Sequence, residues 1–280
     1  MTYSKEKEFL MKNPTRINSG ALSSFRIFCT ATVALCSLSA QAQSPVFDDP
    51  VIQPVLTNAP IRNVFVPVGF DDNDTVEVIV HGHFRDSCNK MGPAIGLVDA
   101  DKLEITVGAR ALKYNANSCI PMEVPFLQSV KLGQLKAGTY SVNLSGGRTL
   151  PEQPKPLTVA AATTSTADDN LYAPVDAVEF LPASGQPGVY ALTVSGIFPK
   201  SEAGCMRLKE VKILTFDGIL VVLPISTFDT DVANCPQGNT PFERMFKVTK
   251  NVTLDLNRDT LIHVRVLNGQ SVNKVIEFEN

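Results

Sequence analysis

No tryptophan occurs anywhere in the chain, and histidine occurs only three times. The first absence removes the side chain that most readily stacks against a sugar ring and leaves that role to a few tyrosines. The second leaves His81, His83 and His263 as the whole supply of imidazole for acid–base or metal chemistry. No C-x-x-C pair is present, which disfavours a structural zinc site built on cysteine. No G-x-S-x-G elbow, H-E-x-x-H helix or phosphate-binding glycine loop is present either, so the common hydrolase and nucleotide-binding signatures are missing. No apolar run reaches the ~18 residues that a membrane-spanning helix needs. Basic residues are not in excess: 25 Lys and Arg stand against 28 Asp and Glu. A nucleic acid or an anionic membrane is therefore not the expected partner.

What is present begins with an address. Lys5, Lys7, Lys12, Arg16 and Arg26 form a basic leader, and the apolar run IFCTATVALCSLSA follows from Ile27 to Ala40. Ala40-Gln41-Ala42 then has the small-x-small pattern of a signal-peptidase site, which predicts cleavage after Ala42. Met11 is an alternative start that would give a leader of more usual length. Acylation at Cys36 is disfavoured by Leu35 before it. Cleavage removes five basic and two acidic residues from a net charge of −3, so the mature chain is more acidic, near −6. Export to the periplasm, cell surface or medium is the expected localisation.

The leader also contains Cys29 and Cys36, which leaves Cys88, Cys119, Cys205 and Cys235. An even count in an exported chain suggests disulfides. Four cysteines allow three connectivities. Separations of 31 residues for Cys88 to Cys119 and 30 for Cys205 to Cys235 favour those two pairs, one in each half.

The equal loops belong to a longer correspondence. NSCIPMEVPF ends at Phe126 and ANCPQGNTPF ends at Phe242; both read Cys, five residues, Pro, Phe. Upstream, VIVHGHF from Val78 to Phe84 matches LTVSGIF from Leu192 to Phe198. The matched positions keep their order and their offset to within a few residues. The sequence therefore reads as one folding module written twice. The expected segments are a signal peptide (1–42), an extended Pro-rich segment (43–59), module 1 (60–161), a linker (162–175) that leaves the modules some freedom, and module 2 (176–280).

The hydrophobic period is two, not 3.6. Val76, Val78, Val80 and Phe84 fall on one strand face and Glu77, His81 and His83 on the other. In the second copy Tyr190, Leu192, Val194 and Phe198 face in, and Thr193 and Ser195 face out. Further strand runs are AIGLV, KLEITVGARAL, TYSVNL, PLTVAA, VKILTF, ILVVLPI, NVTLDL, LIHVRVL and KVIEFE. Turn signals such as Asp217-Gly218 and Asn268-Gly269 separate them. No convincing amphipathic helix follows the leader. About seven short strands in each ~100-residue unit predict an all-β chain of two tandem sandwiches.

The stretch Leu135-Lys136-Ala137-Gly138-Thr139-Tyr140-Ser141-Val142 resembles the tyrosine-corner region of immunoglobulin-like and fibronectin type III-like sandwiches. That resemblance implies two tandem immunoglobulin-like domains, each with one disulfide, and a Tyr140 hydroxyl bonded to the loop before it. The second copy has Ile262 at the matching position. The cysteine spacing also differs from the cross-core immunoglobulin disulfide, which packs on a tryptophan. The phrase as a whole resembles repeats of bacterial exported proteins, with no activity attached. Each disulfide is expected to staple loops at the sandwich end, with Phe126 and Phe242 plugging the core.

Candidate chemistry is sparse. His81 and His83 lie two apart on a strand and share a face. With one or two further ligands, Asp86 being the nearest candidate third, they could hold zinc or copper. The second copy has Ser195 and Ile197 at those positions, so the module does not need the histidines, and solvent-facing polar side chains are the preferred expectation. Asp71, Asp72 and Asp74 suggest calcium by residue type, but the spacing is not that of an EF-hand and the same residues favour turns. Lys200, Arg207, Lys209 and Lys212 read as one solvated strand face, with docking to an acidic partner as the sharper alternative. No catalytic residue and no cofactor is expected.

The leading expectation is a non-enzymatic exported binding or structural protein, acting through contacts with a protein or another envelope component. A carbohydrate-binding or adhesion protein is the alternative, and a metal-dependent hydrolase comes behind it. A pilus-type chaperone of similar size is disfavoured because the last strand of module 1 is preceded by Pro151, Pro154 and Pro156, which lack the N–H that donor-strand pairing needs.

Overall fold

Alternation with period two produces strands almost throughout. The computed structural model describes residues 53–115, 118–145, 154–249 and 259–277. The expected signal peptide, most of the extended segment, the NVTLDL run and Pro151 lie outside them. Among the described residues the only helical element is the short 3-10 turn Val232–Asn234, and no helix is long and apolar enough to cross a membrane.

The first half contains β1 (Val55–Asn58), β2 (Ile61–Phe65), β3 (Phe70–Asp71), β4 (Val76–Asp86), β5 (Asn89–Asp99), β6 (Glu104–Lys113), β7 (Pro121–Gly133), β8 (Gly138–Leu144) and β9 (Lys155–Ala160). One sheet runs β2-β4-β7. The other runs β1-β6-β8-β9-β3, with β5 on the other edge of β6. The second half contains β10 (Val175–Pro182), β11 (Val189–Phe198), β12 (Cys205–Phe216), β13 (Ile219–Asp229), β14 (Thr240–Thr249), β15 (Thr260–Val266) and β16 (Gln270–Ile276). Its sheets run β10-β11-β14 and β12-β13-β15-β16. The order β2-β4-β7 with β5-β6-β8-β9 thus recurs strand for strand.

In each half the inner sheet faces meet. Val76, Val78, Val80 and Phe84 from β4 pack against Ile105, Val107, Tyr140, Val142 and Leu157 from the opposite sheet. Leu192, Val194 and Phe198 from β11 pack against Leu220, Val222, Ile262 and Val264. Alternating strands whose apolar faces meet are the physical definition of a sandwich. The Tyr140 hydroxyl donates to the Lys136 carbonyl at 3.1 Å, the bond that the resemblance implied. Three pairings differ from an all-antiparallel immunoglobulin sandwich: β3 with β9, β6 with β8, and β13 with β15 are parallel.

The repeated phrases form one packing device. Gly82 lies opposite Phe126, and Gly196 opposite Phe242, in the ladders β4–β7 and β11–β14. The Phe126 ring sits 4.8 Å from Phe84, and the Phe242 ring 4.6 Å from Phe198. A Cβ on either glycine would strike the opposing ring and the carbonyl of Pro60 or Pro174. A third matched pair therefore joins the device, Ala59-Pro60 with Ala173-Pro174.

Both disulfides form, Cys88–Cys119 with 5.4 Å and Cys205–Cys235 with 5.5 Å between Cα atoms. Each joins the residue at the start of β5 or β12 to the loop leading into β7 or β14, at the sandwich end, as expected.

The halves do not behave as beads on a linker. The outer face of β2-β4-β7 packs on the outer face of β13-β15-β16: Phe65 and Ile79 meet Ile219, Val221 and Leu261. Nine consecutive residues of β4 and all seven of β15 are buried, because both strands are covered on both faces. At roughly 1.5–3 kcal/mol for each buried side chain, this apolar seam outweighs the exposed ion pairs of the surface. The 162–175 segment is held at both ends. Ala162 N–H donates to Asp72, Asn73 donates to the Thr164 carbonyl, and Tyr172 and Ala173 are buried against β13.

Candidate metal centre at the seam

The period-two geometry of β4 places His81 and His83 on its outer face, and the second half covers that face. The expectation that they point to solvent is corrected: His81 is 2% exposed and His83 7%. Glu77, assigned to the same solvent face, is also buried. Asp86 does not join the two histidines. Its carboxylate accepts from the Cys88 N–H and the Asn89 amide, beside the disulfide.

The third group is Glu277, one residue past β16 and half exposed. Its Oε1 lies 2.9 Å from His81 Nε2 and 2.8 Å from His83 Nε2. The two rings are nearly perpendicular, with centroids 5.1 Å apart, so both Nε2 atoms aim at one point. Behind His81, the Asp259 carboxylate lies 3.8 Å from Nδ1 and accepts from Asn63 at 2.6 Å. Burial lowers the His81 pKa below its ordinary value, against the opposing pull of Glu277 and Asp259. Among the described residues neither Nδ1 has a hydrogen-bond partner. The donor set is two imidazoles and one carboxylate, the ligand types that suit zinc or copper.

Sequence reasoning found the two histidines and missed Glu277, which lies almost two hundred residues away and approaches only because the halves pack. The histidines carried one unused signal. Ile79 shares their strand face, and an aliphatic side chain between polar ones marks a covered surface.

A second polar group lines the same seam without forming a ligand set. Glu77 accepts from Ser129 and lies 3.6 Å from His263 Nδ1, which is 2.8 Å from Asn273 Oδ1. Arg265 donates to Asp74 at 3.1 Å and to the Gly69 carbonyl at 2.5 Å, with its guanidinium over the Phe70 ring. The suggested calcium carboxylates are engaged elsewhere: Asp71 accepts from the Asn73 N–H, Asp72 from Ala162 and Asp74 from Arg265. The turn reading accounts for these residues. The basic residues of β12 are exposed; Arg207 donates to the Asn234 carbonyl and Lys212 pairs with Glu210.

A cavity of about 640 Å³ lies away from this site, between Ile61, Phe84, Arg85, Asp86 and Lys113 at the end of the first sandwich. It contains no histidine.

In comparisons with known proteins, residues 78–153 match the ORF11 beta-sandwich domain family model. No curated protein and no solved structure gives a significant match. The matched stretch runs from the interior of β4 to the segment before β9. Together with the facing sheets, it establishes a β-sandwich domain in an all-β, disulfide-bonded chain.

Proposed function

We propose that the chain is an exported, non-enzymatic binding protein of two tandem immunoglobulin-like sandwiches, acting through protein–protein contacts in the cell envelope, at the surface or in the medium. The carrying observation is an asymmetry between matched faces. The outer face of β2-β4-β7 is buried against the second half, whereas the matched face of β10-β11-β14 is open. That open face holds Leu181, Ile197 and Met245, each about half exposed or more. Asp176, Glu179 and Glu243 surround them, with Lys247 as the main counter-charge. A face that binds a sheet in one copy is suited to bind one in the other. The expected occupant is another exported protein presenting an apolar sheet or loop surface edged with basic residues. Carbohydrate binding has less support: Tyr140 and Tyr172 are buried, and Tyr190 is stacked on Phe180.

Chemical cross-linking of the protein in its native envelope, followed by mass spectrometry, tests this reading. One specific partner attached through β10-β11-β14, and lost in an Ile197→Glu/Met245→Glu variant, is the expected result. No specific partner, under conditions that capture known envelope complexes, would overturn it.

A further inference from the structure

We propose that His81, His83 and Glu277 form a zinc-class metal site that ties the first sandwich to the C-terminal end of the second. Three observations converge on it. The two Nε2 atoms and the Glu277 Oε1 lie within 4.8 Å of one another and meet from two separate sheets. The imidazoles are buried, yet the matched residues of the second half are Ser195 and Ile197, so the sandwich itself does not require them. The Asp259 carboxylate stands 3.8 Å behind His81 Nδ1, placed to stabilise an Nδ1–H once a metal displaces the proton shared between Nε2 and Glu277.

The distances fit. Tetrahedral zinc with bonds of about 2.0–2.1 Å separates its ligand atoms by roughly 3.3 Å. The donors stand 2.8 and 2.9 Å from the shared oxygen, so the carboxylate must retreat by about half an ångström. Glu277, half exposed and past the last ladder pair of β16, has room to do so. Its exposed side leaves a fourth position for water. Nitrogen donors select zinc or copper(II) over magnesium or calcium, which prefer all-oxygen sites. Asp86, the third ligand suggested by sequence proximity, has no part in this site.

The mature protein, without a histidine tag, is stripped with chelator and titrated with zinc chloride, then with copper(II), while bound metal and Tm are recorded. The expected result is one ion per chain and a Tm raised by several degrees. Glu277→Gln and His83→Gln should each weaken binding at least about tenfold, whereas Asp86→Asn should bind as the parent does. Glu277→Gln alters a half-exposed carboxylate, so it keeps the test valid if His83→Gln fails to fold. Absence of stoichiometric binding of either ion, or equal binding by Glu277→Gln, would overturn the proposal.

Discussion

Phe126 lies directly across the β4–β7 ladder from Gly82, and its ring fills the space that a side chain at Gly82 would need. A Cβ there would come 2.7 Å from Phe126 Cζ and would also meet the Pro60 carbonyl, which is backbone and yields little. Gly82→Ala is therefore expected to destabilise the protein by about 1–3 kcal/mol, with Gly196→Ala costing a similar amount. Urea denaturation measures both, and unchanged midpoints would show that the repeated phrase is not a packing device.

The shared apolar seam predicts that the two halves unfold together, in one transition. Arg265 of β15 reaches across to Asp74 and the Gly69 carbonyl. Replacing it with methionine leaves a buried carboxylate uncompensated and should cost about 3–5 kcal/mol. Removing Asp74 as well should recover part of that loss. Calorimetry that resolved two transitions in the parent protein would contradict the seam.

Asp168 sits beside Asp74. Burial first, and then the Asp74 carboxylate, raise its pKa from 3.8 to about 6. The folded state holds this proton more tightly than the unfolded chain, so stability falls as pH rises between these two values and stays reduced above them. Asp168→Asn is expected to be more stable than the parent at pH 7, with the difference vanishing below pH 3.8. Asparagine also tolerates the positive φ of 64° at this position. Chemical denaturation across pH measures the difference; equal stability at pH 7 would refute it.

His263 has the opposite sign. Full burial lowers its pKa below the ordinary 6.5, and Arg265 adds to this, while Glu77 and Asn273 oppose. The unfolded chain binds the proton more readily, so the contribution is complete above pH 6.5 and is lost as the solution is acidified. His263→Gln should flatten the acid limb of the stability curve below pH 6.5 relative to the parent. An unchanged slope would show that other groups govern it.

Each disulfide closes a loop of about thirty residues, for which the chain-entropy account gives roughly 3–4 kcal/mol. Paired Cys→Ser replacement in either half should lower stability by that order, and the unreduced parent should lose it in dithiothreitol. A shift below about 1 kcal/mol would place the stabilisation elsewhere.

The sequence by itself determined most of the described strands, the inward faces of both copies, the disulfide pairing and the recurrence of Gly-x-Phe with Pro-Phe, but not β1, β2 or β10. All of these follow from local rules: the side-chain period of two, turn chemistry and the loop lengths between cysteines. The resemblance of the stretch from Leu135 to Val142 to a tyrosine corner implied that Tyr140 bonds the loop before it, and the structure supplies the partner, the Lys136 carbonyl. Only the tertiary structure decided what covers the outer faces. ILVVLPI in β13 is apolar on both sides, as a doubly covered strand must be, and Ile79 interrupts the polar face of β4; neither run names the surface it meets. The environment of His81 and His83 changed from solvent to seam for that reason. Asp86 was the nearest acid in sequence, whereas Glu277 is the nearest in space, brought there by the docking of two sheets that no local pattern encodes.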